Sequence, residues 1–252
     1  MRLPIPLLAL VLLLFACVTS GTGIGVDLVS EQQVEQMSEE SWQRLRKETP
    51  VSDDGRYRST ATRVAGRLLG ALDGDPQAWE VVVFEGDEAN AFALPGGKIG
   101  IYEGMFRIVR SDDELAAVVA HEIGHNREHH AQERVSTQVA AQGALQLVSA
   151  ALRAGNFAYA NAIAGALGLG AQYGVLLPYS RNQELEADEV GLMLMASAGY
   201  DPRAAVSLWQ TMGSRGGGAP PTLLSTHPAP AERIERLEAR MPRALALFRE
   251  AH

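Results

Sequence analysis

Residues 115–125 read Leu115-Ala116-Ala117-Val118-Val119-Ala120-His121-Glu122-Ile123-Gly124-His125. The first six are apolar and hold no breaker, which predicts a buried helix leading into the charged residues. Ser111 or Asp112 stands where a cap is needed, and a helix is predicted over residues 113–134. Residues four apart on a helix lie about 40° apart around the axis and one turn along it. His121 and His125 therefore present two imidazoles to one point. Neutral imidazole is a good zinc ligand, and Glu122 falls beside the pair, where it can act as general base toward water. The competing reading is a chance H-E-x-x-H on a charged surface helix. The apolar lead-in argues against it, because a buried polar cluster without a purpose is costly.

A catalytic zinc takes three protein ligands and keeps one position open. Asn126-Arg127-Glu128-His129-His130 follows the motif, with no glycine to turn the chain toward a nearby third histidine. On a continuous helix His129 is about 12 Å along the axis from His121, too far to share an ion, and His130 is farther. Both are expected to support the ligands from outside or to act as cations at a helix C-terminus. A carboxylate on a second helix is the better third ligand. In Ser180-Arg181-Asn182-Gln183-Glu184-Leu185-Glu186-Ala187-Asp188, Glu184 and Asp188 share one face. Glu184 is expected to ligate zinc, and Asp188 to accept the outer N–H of a ligand histidine. Glu186 points about 200° away and is expected to face solvent.

Working outward, the order of elements predicts a mainly α chain with a small β-sheet, an α+β fold. Residues 28–47 carry Val34, Met37, Trp42 and Leu45 at helical intervals, and a second helix capped by Asp53 or Asp54 runs through Val64, Leu68, Leu69 and Leu72. A strand is predicted at residues 80–85. A hairpin follows, with residues 89–94 and 98–102 as its arms and Pro95-Gly96-Gly97 as its turn. Beyond Tyr102 everything reads as helix and loop, including helices over residues 136–153, 182–197 and from Pro202 to near Met212. Residues 213–221 are rich in glycine and proline, and a last helix starts near Ala229. No charged residue falls between Arg153 and Arg181. Length makes that stretch a membrane-span candidate, but its glycines, its amides and its alanine-rich character favour a buried helical pair.

The chain has 252 residues, a net charge of -8 and a single cysteine, Cys17. The acidic balance excludes the basic surface that nucleic acid needs. One thiol excludes an internal disulfide or a cysteine-built metal site. Residues 3–16 form an apolar run too short to span a bilayer and are expected to be a signal peptide, residues 1–16. Leu14-Phe15-Ala16-Cys17 resembles a lipobox, which implies lipidation of Cys17; the small residues 21–25 predict a flexible tether over residues 17–27, and the H-E-x-x-H motif marks residues 28–252 as the expected zinc metallopeptidase domain. The absence of aspartate after Cys17 implies, by the same resemblance, a periplasmic protein on the outer membrane of a Gram-negative cell. Ordinary cleavage nearby is the alternative.

Four segments together carry a wider resemblance. They are residues 90–97 (Asn-Ala-Phe-Ala-Leu-Pro-Gly-Gly), His121 to His125, Ser180-Arg181-x-x-Glu184-x-x-Ala187-Asp188, and Thr226-His227-Pro228. In this order they resemble the HtpX-like, Oma-like and CAAX-prenyl-protease-like zinc metallopeptidases over residues 54–237, most of all the periplasmic BepA- and LoiP-like members. The resemblance implies a gluzincin fold, one zinc ion on His121, His125 and Glu184, and Glu122 as catalytic base. An edge strand at Ala89, Asn90, Ala91 and Phe92 is suited to pair with an extended substrate backbone. His227 is left with three roles: stabilising the oxyanion, blocking the fourth zinc position as part of a gate formed by residues 213–221, or bonding to backbone at a helix start. The expected function is hydrolysis of peptide bonds in misfolded or unassembled envelope proteins. The alternatives are a latent, chaperone-like binding module with a closed zinc site, and a structural zinc protein, which the lack of cysteine ligands disfavours.

Overall fold

The computed structural model describes residues 28–154, 179–214, 222–227 and 231–252. The predicted signal segment, Cys17, the tether, nearly all of the uncharged stretch, most of the glycine-rich loop and Pro228 lie outside these residues. Two units are distinct. One comprises residues 1–31 and 132–177; within it the Gln132 side-chain amide donates to the Val29 carbonyl at 3.0 Å. The other, residues 32–131 and 178–252, holds the histidine motif and is described below.

Helix α1 (Glu31–Glu48) is amphipathic, and its inward stripe includes Val34, Ser38 and Trp42. Helix α2 (Gly55–Gly70) starts at Asp54, whose carboxylate accepts the Arg56 N–H. Three strands follow: β1 (Glu80–Phe84), β2 (Ala91–Leu94) and β3 (Lys98–Tyr102). The order is β1-β3-β2, with β1 parallel to β3 and β2 antiparallel to it. Residues 95–97 make the hairpin turn, where Gly96 and Gly97 adopt φ of 82° and 75°, a region closed to most side chains.

Both faces of the sheet are covered because β1 alternates between two apolar sides. Val83, Ile99 and Ile101 enter the main core. Val82 and Phe84 meet Trp42 of α1, whose ring stands edge-on to Phe84 at 5.5 Å. The Phe92 ring lies against Gly100, where a Cβ would come within 2.2 Å of it. The main core is closed by α3 (Asp112–Arg127), α5 (Arg181–Ser197), α6 (Arg203–Ser214) and α8 (Ala231–Glu250). A single turn, α7 (Leu223–Thr226), adds Leu223.

Helix α3 is buried on every side from Glu114 to His125. Ser111 caps it by accepting the Glu114 N–H at 3.2 Å, and three acidic residues occupy the first turn, favourable against the helix dipole. The predicted helix over residues 113–134 is interrupted. Helix α3 stops at Arg127, His129 takes a left-handed φ of 54°, and a new helix, α4 (His130–Ala154), begins at the next residue. Helix ends often place such a residue just past the last turn, normally glycine or asparagine. With histidine there, no sequence signal announces the break.

No described helix is long and apolar enough to cross a membrane.

Candidate metal centre

Helix α3 supplies His121, Glu122 and His125, and α5 supplies Glu184 and Asp188. The two helices touch backbone to backbone because two glycines face the contact. A Cβ on Gly124 would lie 2.7 Å from the Ala187 carbonyl oxygen, and one on Gly191 would lie 2.9 Å from Ala120 backbone atoms. Helix α5 is fixed at its start by a capping box. The Ser180 hydroxyl accepts the Gln183 N–H, and the Gln183 side chain accepts the Ser180 N–H. Substituting alanine at Gly124 or Gly191 is expected to force these helices apart, at about 1–3 kcal/mol each. Gly66→Ala on α2, where a Cβ meets nothing within 4 Å, should be neutral or slightly stabilising. Denaturant midpoints of the three variants check this.

The close approach brings four donors to one point. His121, His125, Glu184 and His227 each offer a ligand atom, all within 4.8 Å of one another and all buried. The His121 and His125 Nε2 atoms are 3.1 Å apart. Glu184 places Oε1 3.4 Å from His125 Nε2 and Oε2 3.5 Å from His121 Nε2. His227 Nδ1 lies 2.9 Å from Glu184 Oε1 and 3.2 Å from His121 Nε2. Four ligands at zinc distances in a tetrahedron are about 3.3 Å from one another. The separations in this cluster fit that value.

Charge balance fits as well. Glu122, Glu184 and Asp188 are buried carboxylates, and among the described residues Arg233 is the cation buried with them. The carboxyl groups outnumber the permanent cation in this pocket, and a metal ion held between the imidazoles would add positive charge to it. Burial works against ionising Glu184 and Asp188. Bonds from His121, His125 and His227 to the first, and from Arg233 and His121 to the second, outweigh it and hold both carboxyls below their usual range. For Glu122 burial prevails and pushes the carboxyl up, against the pull of His227 and His121. Burial also opposes charge on His121, but its bonds to Asp188 and Glu184 raise it to about 9. His125 is pushed well below the usual histidine range by burial.

Glu122 sits beside the cluster with Oε1 buried, hydrogen-bonded to nothing and 3.5 Å from His227 Nε2. The Ala93 backbone N–H of β2 faces the same carboxyl. The Tyr102 N–H donates to the Asn90 carbonyl, so residues 90, 92 and 94 bond toward β3, and Ala91 and Ala93 direct their backbone groups to the free edge. The strand begins only at Ala91. Ala89 and Asn90 precede it, and the Ala89 carbonyl accepts the Leu223 N–H at 3.1 Å.

Around the donors stands a ring of groups that bond to them. Asp188 Oδ1 is 2.9 Å from His121 Nδ1. Arg233, wholly buried, bonds Asp188 through Nε and Nη2 at 2.6 Å each, reaches Glu184 through Nη1 at 2.5 Å and lies over the Trp209 ring at 3.8 Å. The Tyr179 ring stacks on His125 at 3.9 Å. His130, brought back by the break at His129, puts Nδ1 2.9 Å from His125 Nδ1, and its Nε2 is 3.3 Å from Glu186. Glu186 is thus mostly in solvent but not idle, and His129 is exposed. Arg233, Trp209 and Tyr179 were not singled out by the sequence reading. Arg233 is one of many arginines on an amphipathic helix, and nothing local distinguishes it.

Residues 53–241 match the family model described as Peptidase family M48. The mitochondrial metalloendopeptidase OMA1 of Schizosaccharomyces pombe is 36% identical over 186 residues, covering 73% of this chain and 52% of that protein. OMA1 of Arabidopsis thaliana is 32% identical over 241 residues, 94% of this chain and 48% of that protein. The beta-barrel assembly-enhancing protease of Escherichia coli K12 is 28% identical over 224 residues, 85% and 45% respectively. The chain spans about half the length of the curated relatives it matches.

Proposed function

The chain belongs to peptidase family M48, and from that membership we propose that it is a zinc endopeptidase acting on misfolded or unassembled polypeptides. The observation that supports this most is the buried donor cluster of His121, His125 and Glu184 with the unbonded carboxylate oxygen of Glu122 beside it. His121, His125 and Glu184 would hold the ion, oriented from outside by Asp188. Bound zinc lowers the pKa of a water ligand to about 7 and polarises a carbonyl. Glu122 takes the proton from the attacking water as its oxygen bonds to the peptide carbonyl carbon. It then gives that proton to the amide nitrogen as the C–N bond breaks.

Substrate enters as an extended strand along β2. The backbone groups of Ala91 and Ala93 point to the free edge on the side of Glu122, and backbone pairing reads little sequence. Unfolded chains satisfy that requirement and folded ones do not. We place the protein in the periplasm, anchored through a lipid on Cys17 to the outer membrane, on the strength of Leu14-Phe15-Ala16-Cys17.

His227 favours a second element of the reading, a resting state that is shut. Its ring stands among the ligands, and α7 is tied by the Leu223 N–H to the Ala89 carbonyl, just ahead of β2, and through the Thr226 carbonyl to the Tyr179 N–H. In that state the chain binds unfolded protein and rarely cuts it. Degradation of a permanently unfolded protein by the parent chain and by His227→Ala tests both elements. The expected result is slow cleavage by the parent and a rate at least several-fold higher in the variant. A lower rate in His227→Ala makes the histidine an oxyanion donor. No cleavage by either protein with zinc bound leaves a binding module.

A further inference from the structure

The two histidines of the H-E-x-x-H motif are supported by different chemistry. His121 Nδ1 meets the carboxylate of Asp188 at 2.9 Å, and Asp188 is itself held by Arg233. Among the described residues His125 Nδ1 meets no carboxylate. It lies 2.9 Å from Nδ1 of another histidine, His130, which is 1% exposed. The far nitrogen of His130, Nε2, is 3.3 Å from Glu186 Oε2, on a side chain 56% exposed.

Two facing ring nitrogens can share one proton, so the arrangement has a direction. His125 Nε2 faces Glu184 and His121 Nε2 in the donor cluster and must offer a lone pair there. Its proton therefore sits on Nδ1, and Nδ1–H donates. His130 Nδ1 must accept, which requires the neutral ring with its proton on Nε2. That proton is donated to the Glu186 carboxylate. Reversing any one of these bonds sets two N–H groups against each other or turns an N–H of His125 toward the ion.

We propose that His130 and Glu186 form a relay that fixes the tautomer and ring orientation of His125, making His130 a positioning residue for zinc and Glu186 the anion that sets its direction. The proposal rests on His125 being a zinc ligand. The chain break serves it directly: the left-handed turn at His129 is what folds His130 back onto a residue only five positions earlier. Removing such an outer partner typically costs 10–100-fold in metal affinity or activity.

The test is zinc affinity of the full chain, measured by competition with a chromophoric chelator, together with circular dichroism to verify folding. His130→Leu is expected to weaken zinc binding by about 10–100-fold. His130→Asn, whose amide oxygen can accept the His125 N–H, should stay close to the parent. Glu186→Ala, a change at a mostly exposed position, should weaken binding measurably in the parent and have no further effect in His130→Leu. Equal losses in His130→Leu and His130→Asn would reduce the contact to packing and overturn the relay. Parental affinity in a folded His130→Leu, or in Glu186→Ala, would overturn it too. If His130→Leu does not fold, Glu186→Ala decides alone. The ligand reading is separated by His125→Ala. Lost zinc there with parental affinity in His130→Leu removes the relay only, whereas parental affinity in His125→Ala overturns the ligand reading and the relay with it.

Discussion

Replacing Glu122 with glutamine is expected to lower peptide-bond cleavage by about 10²–10⁴-fold while the chain keeps its fold and its zinc. Glutamine has the shape of glutamate and cannot accept a proton at neutral pH. Glu122 lies outside the donor cluster, its Oε1 has no hydrogen-bond partner among the described residues, and His227 Nε2 is 3.5 Å from it. A buried carboxylate oxygen left without a hydrogen bond is costly, and a site that uses it as a base gives a reason for the cost. The comparison should be run in the parent and in His227→Ala, so that a shut site does not hide the loss. Glu122→Gln cleaving at the parental rate in both backgrounds would remove Glu122 from the mechanism.

Arg233→Met is expected to be the most destabilising single change in the unit. Arg233 is wholly buried, and its guanidinium hydrogen-bonds Asp188 and forms an ion pair with Glu184 while covering the Trp209 ring. Methionine fills similar space but removes the guanidinium's charge and hydrogen bonds, leaving both carboxylates to share His121. Breaking a buried ion pair from one side costs about 3–5 kcal/mol, which lowers Tm by on the order of 10 °C for a chain of this size. Arg233→Lys should recover only part of the loss, because a point charge cannot make the two hydrogen bonds to Asp188 and the ion pair to Glu184 at once. Thermal unfolding in the presence of chelator isolates this effect from zinc binding. A shift under about 3 °C would show that Arg233 is not the counter-ion of the cluster.

What could be read without coordinates depended on how far apart the residues lie along the chain. A cap at Asp53 or Asp54, another at Ser111 or Asp112, a strand at residues 80–85 and a hairpin turning at residues 95–97 follow from local chemistry, and the structure has them, with Asp54 and Ser111 as the caps and the strand ending at Phe84. Spacing within one helix was equally legible: Glu184 and Asp188 do share the face of α5 that meets α3. The path of the chain after His125 was not. Arg127-Glu128-His129-His130 holds no glycine or proline, so periodicity carries the helix straight through a break that only tertiary packing imposes. His130 was therefore left between supporting a ligand from outside and acting as a helix-end cation, with nothing to pick out His125 as its partner. Arg233 was hidden for a different reason. Its role comes from the crossing of α8 over α5, and in the sequence it looks like any basic residue on an amphipathic helix. The glycines at 124 and 191 are legible only in hindsight, since the close contact they permit belongs to two helices more than fifty residues apart.

The central claim is that one zinc ion on His121, His125 and Glu184 makes this chain a peptidase. The most direct measurement is metal content and cleavage of an unfolded protein on the same preparation, before chelation, after it and after zinc is restored, with His227→Ala run beside the parent. The expected result is one zinc per chain, bound through nitrogen and oxygen, with cleavage that disappears with the metal and returns with it. Cleavage that persists in the chelated protein, or a folded chain that takes up no zinc, would contradict it.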